Sequence, residues 1–218
     1  MRKKFDLIIF DWDGTLADSA NAIVFSIQGA ARDLGVTEPS NEEARYVIGL
    51  GLSEAIEHLF PGLTSQNLFL LSERYRHHYL TQDKKISLYK GVSEIIRALH
   101  AENFLLAVAT GKSRAGLNRA FKSSGLGSFF HASRCADETF SKPHPAMLLE
   151  LMSQLGVEAN RTLMIGDTTH DLQMATNAFV SGVGVTYGAH PKENLETLAP
   201  LTCVESVTKL HLWLNTNI

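Results

Sequence analysis

The sequence is short of several things. Its 218 residues hold only two cysteines, Cys135 and Cys203, far apart and without ligand-type spacing. That count fits free thiols, or at most one disulfide, in a reducing compartment rather than a disulfide scaffold. A basic excess is missing too: 20 lysines and arginines face 23 acids, for a net charge of −3. Nothing is left over to neutralise a phosphodiester backbone, so no nucleic-acid partner is expected. Long apolar runs are also lacking. The run behind the basic start Met1-Arg2-Lys3-Lys4 ends after four residues at Asp11. It is too short for a signal-peptide core or a membrane span, and no later stretch reaches spanning length without charges. The expectation is a cytoplasmic protein with no membrane contact. Internal repeats and low-complexity tracts are absent as well. What remains, 44% hydrophobic and 20% charged, suits one sizeable domain or one domain with an insert.

Apolar runs recur at Leu7–Phe10, Phe104–Ala109, Thr162–Ile165 and Val183–Thr186, with helical periods between them. Val92, Ile95, Ile96 and Leu99 form one helical stripe. Leu117, Ala120, Phe121 and Ser124 form another, stopped by Gly125. A third helix opens near Pro145, carries Leu148, Leu149, Met152 and Leu155, and stops at Gly156. Continuously apolar strands alternating with helices predict an α/β fold: a Rossmann-like parallel sheet core with helices on both faces. Residues 18–88 break the rhythm. Ile23, Ile27, Ala30 and Leu34 make a stripe ended by Gly35. Ser40 with Glu43 makes a capping box for a helix ended at Gly49, and Leu68, Leu71, Tyr75 and Tyr79 mark one more. The expected division is an α/β core from 1–17 and 89–218 and an all-helical cap, 18–88, inserted after the first strand. Its hinges would lie near Asp18 and Leu88–Gly91.

In open parallel sheets, ligands bind beyond the carboxyl ends of the strands. Those positions carry Asp11 and Asp13, then Thr110, Gly111 and Lys112, then Lys142, then Asp167 and Asp171. Carboxylates at the end of a buried strand are costly without a cation, so they point to a metal-assisted phosphate site. A carboxylate can attack phosphorus once the phosphate's charge is neutralised. Magnesium suits an all-oxygen site. Lys142 adds fixed positive charge. Thr110 and the amides of the Asp13-Gly14-Thr15 turn offer hydrogen bonds to phosphate. Asp13 can protonate the leaving alcohol and then activate water.

Singly, these residues read otherwise. An Asp-Gly after a strand is commonly a turn, and an Asp at a helix start a cap. Thr110-Gly111 alone is an ordinary turn, and Lys112 suits solvent at a helix start. His77 and His78 point to different faces of an Arg-rich helix, which suits a solvated surface. His144 and His170 suit local hydrogen bonds. Trp12 packs into the core or under the cap. The stretch from Arg45 to Ser53 is either a cap segment facing the site or a plain helix-to-helix turn.

Taken in order, Asp11-Trp12-Asp13-Gly14-Thr15-Leu16, Val108-Ala109-Thr110-Gly111-Lys112, Ser141-Lys142-Pro143-His144-Pro145 and Gly166-Asp167-Thr168-Thr169-His170-Asp171 resemble the haloacid dehalogenase superfamily across essentially the whole chain. The helical insert and Gly184-Val185-Thr186-Tyr187-Gly188 resemble its phosphoglycolate-phosphatase-type members. The resemblance implies Asp11 as nucleophile and Asp13 as general acid/base, with Thr110 and Lys142 catalytic beside them. Gly14, Thr15, Thr110, Gly111 and Lys142 would bind the substrate phosphate. The metal site for Mg2+ would draw on Asp11, Asp13 through its backbone carbonyl, Asp167 and Asp171, the last supporting the metal or Lys142. Phe179 departs from the pattern, standing where relatives carry glycine. The implied activity is hydrolysis of a small phosphomonoester: phosphoglycolate, a sugar phosphate, a nucleotide, or pyrophosphate. The alternatives are a phosphomutase of the beta-phosphoglucomutase type and a phosphorylation-driven binding module. Asp13 disfavours dehalogenases and phosphonate-cleaving enzymes. The partner would be a small phosphorylated metabolite, and the chain a monomer or homodimer.

Overall fold

A computed structural model describes residues 3–218, so Met1-Arg2 of the basic start lies outside the described residues. The elements run β1 (Leu7–Phe10), α1 (Ala20–Leu34), α2 (Asn41–Tyr46), α3 (Leu52–Leu59), α4 (Ser65–Asp83), α5 (Val92–Ala101), β2 (Leu105–Thr110), α6 (Arg114–Ser124), β3 (Ala132–Cys135), α7 (Ala146–Leu155), β4 (Thr162–Gly166), α8 (Thr169–Asn177), β5 (Ser181–Val185), α9 (Lys192–Glu196), β6 (Cys203–Val204) and α10 (Val207–Asn217). All strand pairs are parallel, in the order β3-β2-β1-β4-β5-β6. This is the α/β Rossmann-like arrangement expected. Strand order reverses between β1 and β4, which opens a crevice at their carboxyl ends.

The pleat explains why β1 is apolar throughout. Ile8 and Phe10 pack with α5, α6 and α10 on one face, while Leu7 and Ile9 meet α7 and α8 on the other. All four are fully buried, each side chain contributing about 1.5–3 kcal/mol. Trp12 joins the first face, edge-on to Phe121 at 5.4 Å and to Phe130 at 6.3 Å.

Two strands carry no apolar run. Edge strand β3 is half-buried and reads Ala-Ser-Arg-Cys, and β6 is two residues long. The α2 helix has the expected Ser40–Glu43 capping box but ends at Tyr46 rather than at Gly49. Gly49, at φ 95°, belongs to the turn that leads into α3.

Helices α1–α4 gather around apolar clusters largely their own, one of which also takes in Ala189 after β5. Ile23, Ile27, Val47, Ile48 and Tyr79 make one, and Ala30, Ala31, Ile56, Phe60 and Leu71 another. The two chain crossings into this block pair with each other. Asp18 N–H donates to Ser87 O at 2.9 Å, and Tyr89 N–H to Leu16 O at 3.0 Å. Among the described residues, no helix is long and apolar enough to cross a membrane.

Candidate active site

Two of the clustered acidic side chains are delivered by strand ends and the third by a helix start. Asp11 follows β1 and extends it, its N–H donating to Ile165 O at 2.9 Å. Asp167 follows β4. Asp171 comes from the first turn of α8, where it completes a capping box: its Oδ2 accepts from Thr168 N–H and Oγ1 at 3.0 and 2.7 Å. Asp11, Asp167 and Asp171 are all buried, and each offers an oxygen within 4.8 Å of the others.

Lys142 enters from the loop before α7 and sits among them. Its ammonium donates to Asp11 Oδ1 and to Asp171 Oδ1, both at 2.6 Å. Burial pulls the ammonium's pKa down, but the two carboxylates outweigh it and hold the group above its ordinary value. For Asp11, burial dominates and pushes the carboxyl well up, against the pull of Lys142. Asp167 is pushed up to about 7, first by burial and then by Asp171. With all three carboxylates ionised, the single ammonium leaves two negative charges uncompensated.

Asp167 is otherwise well held. Oδ1 accepts from Thr15 Oγ1 at 2.8 Å and Oδ2 from Ala189 N–H at 2.7 Å. Gly14 must be glycine here: at φ 85°, an added Cβ would lie 2.1 Å from Asp167 Oδ2. In contrast, Asp11 Oδ2 is the one buried side-chain oxygen among the described residues without a partner. A buried all-oxygen donor set with an excess of negative charge when ionised fits a hard divalent cation.

The turn residues expected at the phosphate are committed elsewhere in part. Gly14 N–H donates to Ala17 O at 2.8 Å, and the Thr15 hydroxyl serves Asp167. Thr110 is buried at the end of β2, its Oγ1 accepting from Lys112 N–H at 3.2 Å. Gly111 lies under the α2–α3 turn, where an added Cβ would stand 2.4 Å from Leu50 O. The Arg45–Ser53 stretch thus faces the site. Gly51 N–H also donates to Ser141 Oγ at 2.7 Å, beside Lys142.

Asp13 stands apart from the other acids. Its Oδ1 accepts from Ser19 Oγ at 2.7 Å and from Lys112 Nζ at 2.9 Å. Its carboxylate therefore lies outside the metal-type cluster, which leaves the backbone carbonyl for any share in a metal. Lys112 does not face solvent, contrary to expectation. Its side chain is 8% exposed and also donates to the Tyr79 hydroxyl of α4 at 2.7 Å. Its place directly after Thr110-Gly111 at a strand end was the signal available. Ser19 and Tyr79 carried none.

Two histidines also behave differently from expectation. Among the described residues, His170 makes no local bond. It and His190 both meet Tyr46 O through Nε2, at 2.8 and 3.0 Å, and the Tyr46 ring stacks on His190. His190 Nδ1 accepts from Thr169 N–H, so Nε2 carries its proton. Burial holds both imidazoles below their ordinary pKa. His77 is exposed, as expected, while the half-buried His78 binds Asp33 of α1 at 2.8 Å. His144 accepts locally from Ala146 N–H, as expected.

The sequence matches the haloacid dehalogenase-like hydrolase family over residues 8–185. It is 35% identical over 210 residues to a probable phosphatase, IndB, of Dickeya dadantii, covering 94% of this chain and 91% of that one. It is 27% identical over 208 residues to the pyrophosphatase PpaX of Halalkalibacterium halodurans, covering 95% of both. The fold matches the crystal structure of a predicted phosphoglycolate phosphatase from Haemophilus somnus with a TM-score of 0.84. That match is at 25% identity over 96% of this chain and 98% of the other.

Proposed function

The chain belongs to the haloacid dehalogenase-like hydrolase family and is a phosphatase, and we propose that it hydrolyses a small phosphomonoester through an aspartyl-phosphate on Asp11, with Mg2+ as cofactor. The observation that carries this reading is the pairing of Lys142 with one oxygen of Asp11 while the other has no partner. Lys142 fixes the carboxylate through Oδ1, and Oδ2 is the attacking atom. It forms a bond to phosphorus as the bond from phosphorus to the ester oxygen breaks. Asp13, oriented by Ser19 and Lys112, gives its proton to that departing oxygen. In the second half, Asp13 takes a proton from water, the water oxygen bonds to phosphorus, and the Asp11–phosphorus link breaks to release phosphate.

Asp11, Asp167 and Asp171, with the Asp13 backbone carbonyl, would hold the metal, Asp171 also holding Lys142. When bound, Mg2+ supplies charge neutralisation for the phosphoryl oxygens. Thr110, Gly111 and the Gly14-Thr15 turn line the phosphate position together with Lys142. Residues 18–88 act as a cap on the 1–17 and 89–218 core. Their apolar clusters, largely their own, and the paired crossings at Asp18–Ser87 and Leu16–Tyr89 support a body that hinges there.

The test is phosphate release from a panel of phosphomonoesters, with and without Mg2+, by wild type and Asp11→Asn. Release that requires Mg2+ and vanishes in Asp11→Asn is expected. No release, or undiminished release by Asp11→Asn, would sink the mechanism.

A further inference from the structure

A cavity of about 420 Å³ opens between the α1–α4 block and the sheet, with Asp11 and Asp13 on its floor. It is larger than the two-carbon acid its relatives' names suggest. Phosphoglycolate has about nine non-hydrogen atoms. At about 30 Å³ each, the share of a water molecule in the liquid, they fill at most about 270 Å³.

Charge argues the same way. Three basic side chains line this cavity: Arg76, Lys112 and Arg119. Each already faces an acid. Arg76 pairs with Glu73, Arg119 with Asp83 at 3.1 Å, and Lys112 with Asp13. The acids Glu54 and Asp137 line the cavity as well. A second anionic group on the substrate, the carboxylate of phosphoglycolate or the far phosphate of pyrophosphate, would meet only cations already neutralised by a carboxylate, with Glu54 and Asp137 on the same wall.

Between the acids and the rim the wall is apolar and aromatic. Ile23, Ile27, Val47 and Ile48 stand behind it. Tyr75 and Tyr79, one turn apart on α4, are stacked with centroids 5.7 Å apart and planes at 25°. Tyr79 is fixed from the core, since Lys112 donates to its hydroxyl and lies 4.8 Å from its ring centroid. Tyr79 is buried between Lys112 and Tyr75, so the half-buried Tyr75 is the ring this wall offers to a ligand, backed by Tyr79.

We infer that the substrate is a phosphomonoester of an uncharged, ring-bearing alcohol, with the ring held against Tyr75, rather than phosphoglycolate or pyrophosphate. The inference rests on the phosphatase reading and adds the leaving group to it.

The test compares kcat/KM of the Mg2+-loaded enzyme on five probes. Uridine 5′-monophosphate and phenyl phosphate carry rings. 2-Hydroxyethyl phosphate is small and neutral, and phosphoglycolate and pyrophosphate carry a second anion. At least one ring-bearing ester should exceed both phosphoglycolate and pyrophosphate at least tenfold. The two ring esters separate a nucleoside from a plain aryl source. In Tyr75→Ser the ratio of the better ring ester to 2-hydroxyethyl phosphate should fall at least tenfold, as expected for loss of one ring contact. Tyr75→Phe should keep that ratio. Phosphoglycolate or pyrophosphate as the better substrate, or an unchanged ratio in folded Tyr75→Ser, overturns the inference and leaves the phosphatase reading standing. No Mg2+-dependent release from any probe would instead overturn the phosphatase reading.

Discussion

The Lys142 ammonium lies 2.6 Å from Asp11 Oδ1 with both side chains out of solvent, and the same ammonium is shared with Asp171. Removing it therefore exposes an imbalance rather than a cavity. Lys142→Met leaves three buried carboxylates without any cation. Breaking a buried pair from one side costs about 3–5 kcal/mol. Chemical denaturation without Mg2+ should show a loss of that order, together with loss of phosphate release. Asp11→Asn should do the reverse to stability, since it removes one of the crowded charges: the metal-free variant should unfold at higher denaturant than metal-free wild type. Equal midpoints for the two variants would refute this account of the cluster.

With Asp167 among the proposed metal ligands, any stabilisation by Mg2+ should depend on pH. Its pKa is pushed up to about 7 in the folded chain, first by burial, against about 3.9 for an ordinary aspartate. A carboxyl with a raised folded-state pKa contributes stability that is complete below its unfolded pKa. That contribution is lost as pH rises through the folded value. Asp11, shifted in the same direction, adds to the trend. Mg2+ would bind the acids in their ionised form, so its stabilising effect should grow over the same window. The rise in Tm on adding saturating Mg2+ should be small at pH 5 and several degrees larger at pH 8. A rise that shrinks with pH would contradict it.

Much of this was legible in the sequence because strand ends and acids coincide. β1 is apolar on both faces, so Leu7–Phe10 announces a central parallel strand, and Asp11 can only sit at its carboxyl end. β3 could not be read that way. It is an edge strand, and Ser133 and Arg134 are tolerated because the strand is only half covered. Lys112 and His170 were misread for another reason. Their partners, Tyr79 and Tyr46, lie 33 and 124 residues away, and no local pattern encodes where the helical block settles on the sheet.

Lys112 should affect chemistry more than binding. It orients Asp13 through Oδ1 and leaves Asp11, Lys142 and Asp167 untouched. Lys112→Met should lower kcat about 10²-fold, the lower range for a misplaced acid–base group, and change the KM of a given substrate less. It should also alter the pH profile of kcat. A change confined to KM would make Lys112 a substrate ligand instead.

Gly111 tests whether the α2–α3 turn must seat on the core. The turn's carbonyls, Leu50 O and Gly49 O, stand 2.4 and 2.7 Å from where a Cβ would be. Both are backbone atoms and cannot swing aside. Gly111→Ala should therefore hold the helical block away from the sheet, raising KM at least tenfold with only a modest loss of Tm. An unchanged KM would mean the turn yields without cost.

Phe179 offers the opposite kind of change, one that touches stability and nothing else. It follows α8 at φ 57° with 88% of its surface exposed. A residue with a Cβ pays about 1–2 kcal/mol for the left-handed region, which glycine enters freely. The exposed ring recovers almost nothing by packing. Glycine at this position loses more backbone entropy from the unfolded chain, which offsets part of the gain. The net expectation for Phe179→Gly is a stabilisation of about 1 kcal/mol, or roughly 2–4 °C in Tm for a chain of this size. Phosphate release should not change, because the position lies beyond the far end of α8 from Asp171 in its first turn. A lower Tm in Phe179→Gly would mean that the exposed ring is covered in solution by something that rewards it.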